Sequence, residues 1–158
     1  MLRNSLIALS MLTAMTAPAY ASGLTANQAV QIAVTETAED GTVTTKYLPA
    51  DKIAPGDELR YVVSYENVGT DAADNIRLDM PVPVEVEFVE GSVETNIATV
   101  TFSIDQGASF AAREALMVAD ENGERTAAAG EITHIRWFFA QSIAPGEAGE
   151  ISYRGILQ

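Results

Sequence analysis

The chain contains no cysteine. That excludes a disulfide, a thiolate metal site, a thiol nucleophile and lipid attachment through Cys. A single histidine, His134, excludes any multi-histidine zinc site. Basic residues are scarce as well, 9 Lys and Arg against 22 Asp and Glu, for a formal charge of −13 at pH 7 and an isoelectric point near 4.2. Binding to a phosphate backbone needs a basic stripe that releases counterions, so nucleic acid is excluded as a partner. Helix-period apolar patterning is absent too. What remains is 47% hydrophobic and 20% charged residues, a composition that folds around one core.

The first segment reads as a targeting signal. Arg3 supplies a positive n-region, Leu6 to Ala14 an apolar h-region, and Ala19-Tyr20-Ala21 a small-x-small site that places cleavage before Ser22. The apolar stretch is shorter than the roughly 20 residues a spanning helix needs, although an uncleaved anchor over Leu6 to Met15 is the competing reading. The expectation is a signal peptide over residues 1–21 and one domain over 22–158, exported to the periplasm or beyond, with no membrane span after cleavage. Without cysteine, such a domain must be stabilised by packing alone.

The mature chain alternates with period two between turn residues, so the fold class is all-β. Val30, Ile32 and Val34 lead through Asp40-Gly41 into Thr42 to Tyr47, a hairpin. Leu59, Tyr61, Val63 and Tyr65 share one face, with Arg60, Val62, Ser64 and Glu66 opposite. Ile76, Leu78 and Met80 follow, ended by Pro81 and Pro83, which mark an edge or a sheet switch. Val84, Val86 and Phe88 are expected to face inward, as are Ala98, Val100, Phe102 and Ile104. Leu116 to Ala119 is short and closes at Asp120-Glu121-Asn122-Gly123. Thr133, Ile135, Trp137 and Phe139 form a row, leaving His134, Arg136 and Phe138 on the other face, and Ile151, Tyr153, Gly155 and Leu157 form the last. Ala108 to Ala115 reads as at most one helical turn and Thr126 to Gly130 as a loop. Eight or nine such strands predict an immunoglobulin-like two-sheet antiparallel β-sandwich.

One motif occurs twice. Ile53-Ala54-Pro55-Gly56 and Ile143-Ala144-Pro145-Gly146 each precede an acid, Asp57 and Glu147, and then a strand. Pro sets the first turn position and Gly supplies positive φ, so these are equivalent turns on one domain. The series Pro55-Gly56-Asp57-x-Leu59-x-Tyr61, Asn67-x-Gly69, Asn75-Ile76, Pro81 and Phe88-Val89-x-Gly91-Ser92 resembles the bacterial surface-protein module called domain of unknown function eleven. Trp137 and Pro145-Gly146-Glu147 with Ile151 to Tyr153 are similar to its closing strands, and the resemblance covers about residues 28 to 157. The run Ile132 to Trp137 is similar to a proteobacterial single-domain branch of short exported proteins. The resemblance implies a β-sandwich of cell-surface, envelope and adhesin-like proteins with no assigned enzymatic activity. This chain carries one copy, whereas the module is usually found in tandem.

Chemistry has few candidates. His134 permits a Ser/His/Asp arrangement formally, but no Gly-x-Ser-x-Gly elbow is present, and alternation sets His134 beside Arg136 on a strand face. Glu85 with Glu87 and Glu121 with Glu124 stand at solvated strand or turn positions, unlike the cleft carboxylates of a glycosidase. Asp120, Asn122 and Glu124 gather oxygen ligands around a Gly turn as a calcium loop would, as do Asp71 and Asp74, but the EF-hand spacing fails and a polar hairpin turn is the better reading of the first set. Trp137 and Tyr61 suggest a sugar platform, against which the row of Ile135 and Phe139 predicts core burial.

The expectation is a non-enzymatic exported structural or interaction module without a cofactor, meeting envelope proteins or a surface polymer. The alternative is a carbohydrate- or calcium-binding module. A hydrolase using His134 is the third reading. A chaperone-assembled pilin is a further structural one, against which Ser22 to Gln28 is short and polar for a donated strand.

Overall fold

The computed structural model describes residues 23–158 apart from 96 and 122, so the targeting segment over 1–21 lies outside the described residues, as does Asn122. The chain is all-β. In order the strands are β1 Leu24–Thr37, β2 Val43–Pro49, β3 Glu58–Asn67, β4 Arg77–Pro81, β5 Val86–Phe88, β6 Ala98–Ser103, β7 Met117–Asp120, β8 Gly123–Thr126, β9 His134–Phe139 and β10 Ala148–Leu157. Ten strands thus replace the expected eight or nine. All pairings are antiparallel, giving a five-stranded sheet in the order β2-β1-β3-β10-β5, a three-stranded sheet β4-β9-β6 and a separate hairpin β7-β8.

Alternation decides the core. Leu59, Tyr61, Val63 and Tyr65 of β3 and Ile151 and Tyr153 of β10 are buried, as are Ile135, Trp137 and Phe139 of β9. Rings from the two sheets meet: Trp137 lies 6.4 Å from Tyr153, Tyr65 meets Phe139 edge-on at 5.1 Å, and Phe88 lies 5.7 Å from Phe102. Such pairs add about 0.5–1.5 kcal/mol each beyond area burial. Within the larger sheet, Tyr61 and Tyr153 are register partners and stack at 4.8 Å. The expected edge at Pro81 is found, since β4 is an outer strand.

The repeated turns have one mechanical role. Ala54 N–H donates to Asp57 Oδ2 (2.7 Å) and Ala144 N–H to Glu147 Oε2 (2.9 Å), so the acid in each motif closes its own turn. Gly56 N–H then donates to the Leu157 carbonyl at the end of β10, and Gly146 N–H to the Asn67 carbonyl at the end of β3. Leu157 and Asn67 return their N–H groups to the Asp57 and Glu147 carbonyls. Each turn starts one central strand and clasps the end of the other, a local two-fold about the Val62–Ser152 pair. Gly56 and Gly146 have φ of 95° and 77°, the region that favours glycine.

Two expectations are corrected, the inward placement of Val84 and the loop over Thr126 to Gly130. Val84 does not face inward and is 93% exposed, because Val86 N–H bonds back to the Pro83 carbonyl and the resulting turn carries Val84 at its apex. Val62 is buried although it lies on the face opposite Tyr61. Residues after the Asp120 turn form β8, and within the stretch read as a loop lies the 3-10 turn Ala129–Glu131. Here Ala128 N–H donates to Glu131 Oε2 at 2.7 Å. The one helical turn expected between Ala108 and Ala115 is found, as the 3-10 turn Arg113–Ala115.

Candidate functional site

The calcium reading is tested by the register of the β7–β8 hairpin. Asp120 pairs with Gly123 and Ala119 with Glu124, so Asp120 and Glu124 project from opposite faces of the ribbon. Asp120 Oδ2 lies 3.2 Å from Arg125 Nε, and Arg125 also grips Glu131 with bonds of 2.7 and 2.9 Å. Those bonds hold the Glu131 carboxyl down to about 2. The described residues of the candidate loop are therefore not brought together, and Asp120 is tied to a guanidinium instead. Asp71 and Asp74 are exposed; the Asp74 carboxylate accepts from the Ser142 hydroxyl and the Asp71 carboxylate from that of Thr70. Among the described residues no group of three or more His, Asp or Glu is arranged to hold a metal ion.

Trp137 and Tyr61 offer no platform for a sugar ring, since they are 0% and 7% exposed. His134 is half-buried at the end of β9, opposite Ser103 in register. The pair does not form a catalytic relay. Ser103 is fully buried and its hydroxyl donates to Asp105 Oδ1 at 2.7 Å, while His134 Nδ1 lies 3.3 Å from Thr133 Oγ1. Nucleophilic activation needs the histidine to take the serine proton, and here the carboxylate holds it. Asp105 instead organises its loop, accepting also from the Ser109 hydroxyl and N–H. These bonds, that from Ser103 foremost, hold its carboxyl far below the usual carboxylate range.

The strongest polar constellation was not singled out from the sequence. It lies on the outer face of the five-stranded sheet, where Gln31, Arg60 and Arg154 stand side by side on β1, β3 and β10. Like charges directly opposite would repel. Carboxylates relieve this: Arg60 donates to Glu94 (2.9 Å) and to Gln31 Oε1 (3.1 Å), and Arg154 donates to Glu58 (3.0 Å). The Arg60 guanidinium, its hydrogen bond first, keeps the Glu94 carboxyl below its ordinary value, and Arg154 is raised chiefly by Glu58. Tyr47 lays its ring 5.3 Å from the Arg60 guanidinium carbon, and Ser152 donates to Glu94 at 2.9 Å. An open hollow of about 390 Å³ takes in Arg60, Glu94 and Ser152, and a second of about 380 Å³, lined by Thr25, Asn27 and Ser64, adjoins it through Tyr65 and Ala148 to Glu150. The hollows carry fixed donors and acceptors suited to polar recognition. Each holds a serine hydroxyl that donates to a carboxylate, Ser152 to Glu94 and Ser64 to Glu150 at 3.0 Å, and no histidine lines either.

The second sheet repeats the pattern on its own outer face. Arg136 makes a bidentate pair with Asp79 (2.7 and 2.8 Å) and lies 3.5 Å over the Phe110 ring, beside exposed Phe138. Asp79 is thereby held below the usual range. All six arginines of the described residues lie within 4.0 Å of a carboxylate. Sequence reading missed the pairings of Arg60, Arg113, Arg136 and Arg154 because their partners are far apart, 96 positions for Arg154 and Glu58. The described residues include no helix long and apolar enough to cross a membrane. No family model, curated protein or solved structure matches the chain.

Proposed function

We propose that the chain is an exported, non-enzymatic structural and interaction module, periplasmic or extracellular, built on an immunoglobulin-like sandwich of the kind its resemblance to domain of unknown function eleven implies. The observation that carries this reading is the role of the repeated turns. The motifs most distinctive in the sequence, Pro55-Gly56-Asp57 and Pro145-Gly146-Glu147, serve to clasp β3 and β10 together. The chain's rarest chemistry is committed in the same way: His134 meets Thr133, and the arginines meet carboxylates that neutralise them. Strand faces of this kind present fixed polar groups to a partner such as an envelope protein or a surface polymer.

The test has two parts. Mass spectrometry of the chain recovered from a producing cell's envelope and medium should show a new N-terminus at Ser22; a retained Met1 would refute cleavage and mean an anchor instead, and a chain found in neither fraction would refute export. Thermal melting in calcium chloride and in sodium chloride of matched ionic strength should coincide, because a bound cation would stabilise the folded state selectively. A rise seen only with calcium would replace the structural reading by a metal-binding one.

A further inference from the structure

The two layers are unequal, five strands against three, and the excess falls at one end. The ring contacts between layers involve β3, β10 and β5, and no residue of β1 or β2 is buried. Yet the core-facing side of this ribbon is apolar apart from Gln28, Thr44 and the Glu36–Lys46 pair. Ala26, Val30 and Ile32 are register partners of Tyr65, Tyr61 and Leu59, so with Val34 they continue the core face outward, and Leu48 extends it on β2 as the partner of Ile32. Val30 is 36% and Leu48 48% exposed. Beyond Ile32 the hairpin leaves β3 behind altogether, since Ala33 to Thr37 pair only with β2.

Charge identifies what covers this face. Residues 24–35 contain no Asp, Glu, Lys or Arg, in a chain whose net charge is −13. The only charged side chains on the same side of the ribbon are Glu36 and Lys46, which neutralise each other at 2.6 Å. Two copies meeting through this strip would bring no excess of carboxylates together. A basic partner would find no carboxylate on this strip beyond one already paired.

We infer that this overhanging face of β1 and β2 is a self-association surface, on which a second copy packs its own ribbon across a two-fold axis. The same residues then occupy both sides, as an isologous contact requires. Two sheet faces stack about 10 Å apart, and Val30, Ile32, Val34 and Leu48 interleave with their counterparts. The strip from Leu24 to Val34 is about 35 Å long and about 10 Å wide, so two copies bury roughly 700 Å². Stable specific dimers bury about 1,200 Å² or more, so this dimer is weak and exchanges rapidly. The inference is independent of export and of any family resemblance; its failure would leave the function proposed above standing.

Sedimentation equilibrium of the chain up to about 1 mM tests it, with a monomer–dimer midpoint expected above about 10 µM. Raising sodium chloride from about 0.05 to about 0.5 M should tighten association, because it screens the acidic bodies while leaving the apolar contact intact. The double variant Val30→Glu with Leu48→Glu should weaken association at least about tenfold without lowering the melting midpoint, both sites being exposed. Phe138→Glu, on the outer face of the other sheet, should leave it unchanged. A chain that stays monomeric at about 1 mM in high salt overturns the inference, as does a dimer that survives the double variant or is equally lost with Phe138→Glu.

Discussion

Asn67 is the fully buried side chain at which the two central strands are locked, and replacing it should cost more than its size suggests. Its Nδ2 donates to the Asp71 and Ile143 carbonyls at 2.9 and 2.7 Å, and its Oδ1 accepts from Gly69 N–H at 3.0 Å. Its own backbone holds the Gly146 turn. Asn67→Ala removes three side-chain bonds worth about 0.5–1.5 kcal/mol each. Ile143 keeps one donor, Ala73 N–H, which moderates the loss, so the expected cost is about 2–3 kcal/mol. Against a total stability of about 5–15 kcal/mol that is a large fraction, and a domain of this size should melt roughly 10 °C lower. Asn67→Asp separates hydrogen bonding from volume. A carboxylate there faces two carbonyl oxygens, so its folded pKa is raised above the unfolded value of about 3.9. The destabilisation is complete above the folded pKa and is relieved as pH falls through it, because only the protonated form donates. Melting of both variants and the parent between about pH 7 and about pH 5 is the assay. A drop under about 2 °C for Asn67→Ala, or an Asn67→Asp deficit that does not shrink on acidification, would refute the reasoning.

Further outcomes follow from the same structure. Trp137→Ala should cost about 3–5 kcal/mol or abolish folding, whereas Trp137→Phe should cost clearly less, because the buried indole N–H has no acceptor among the described residues and its removal loses no bond. Chemical denaturation of the pair checks this, and equal losses would contradict it. Asp79, Glu94, Asp105 and Glu131 are all held below their unfolded values of 3.8 or 4.5, so their contribution is present above that range and lost as pH falls through the depressed values. The melting midpoint should fall below about pH 4.5, and a flat profile from there to about pH 2 would be inconsistent with these pairings. Gly155→Ala should destabilise by about 1–3 kcal/mol, since a Cβ there overlaps Val86 Cγ1 and pushes β5 off β10; a neutral effect in denaturant would show that β5 yields.

Period-two alternation made β3, β9 and β10 readable, because both layers cover them and the inward residues, Asn67 excepted, are apolar. The same rule put Val30, Ile32 and Val34 on one face of the first hairpin but said nothing about whether a facing layer extends that far. Val84 continued the alternation of Val86 and Phe88 in sequence, yet a turn held by the Pro83 carbonyl took it out of the strand. Pairing across the chain lay beyond reading in one dimension: nothing near Arg60 announces Glu94, and nothing near Arg154 announces Glu58. The Asp120 turn was legible as a hairpin, and alternation across it already separates Asp120 from Glu124. The acid in each Pro-Gly motif was visible, whereas its use as the acceptor that closes the turn required the coordinates.

The tenth strand in chain order is the one inserted between β3 and β5. Tyr61 must wait for Tyr153, and the clasp at Asn67 for Glu147, before either exists. Until β10 has been made the largest sheet stays divided, and its closure joins segments distant in the chain, which slows folding. A truncation before Ala148 should therefore remain protease-sensitive however long it is left to fold.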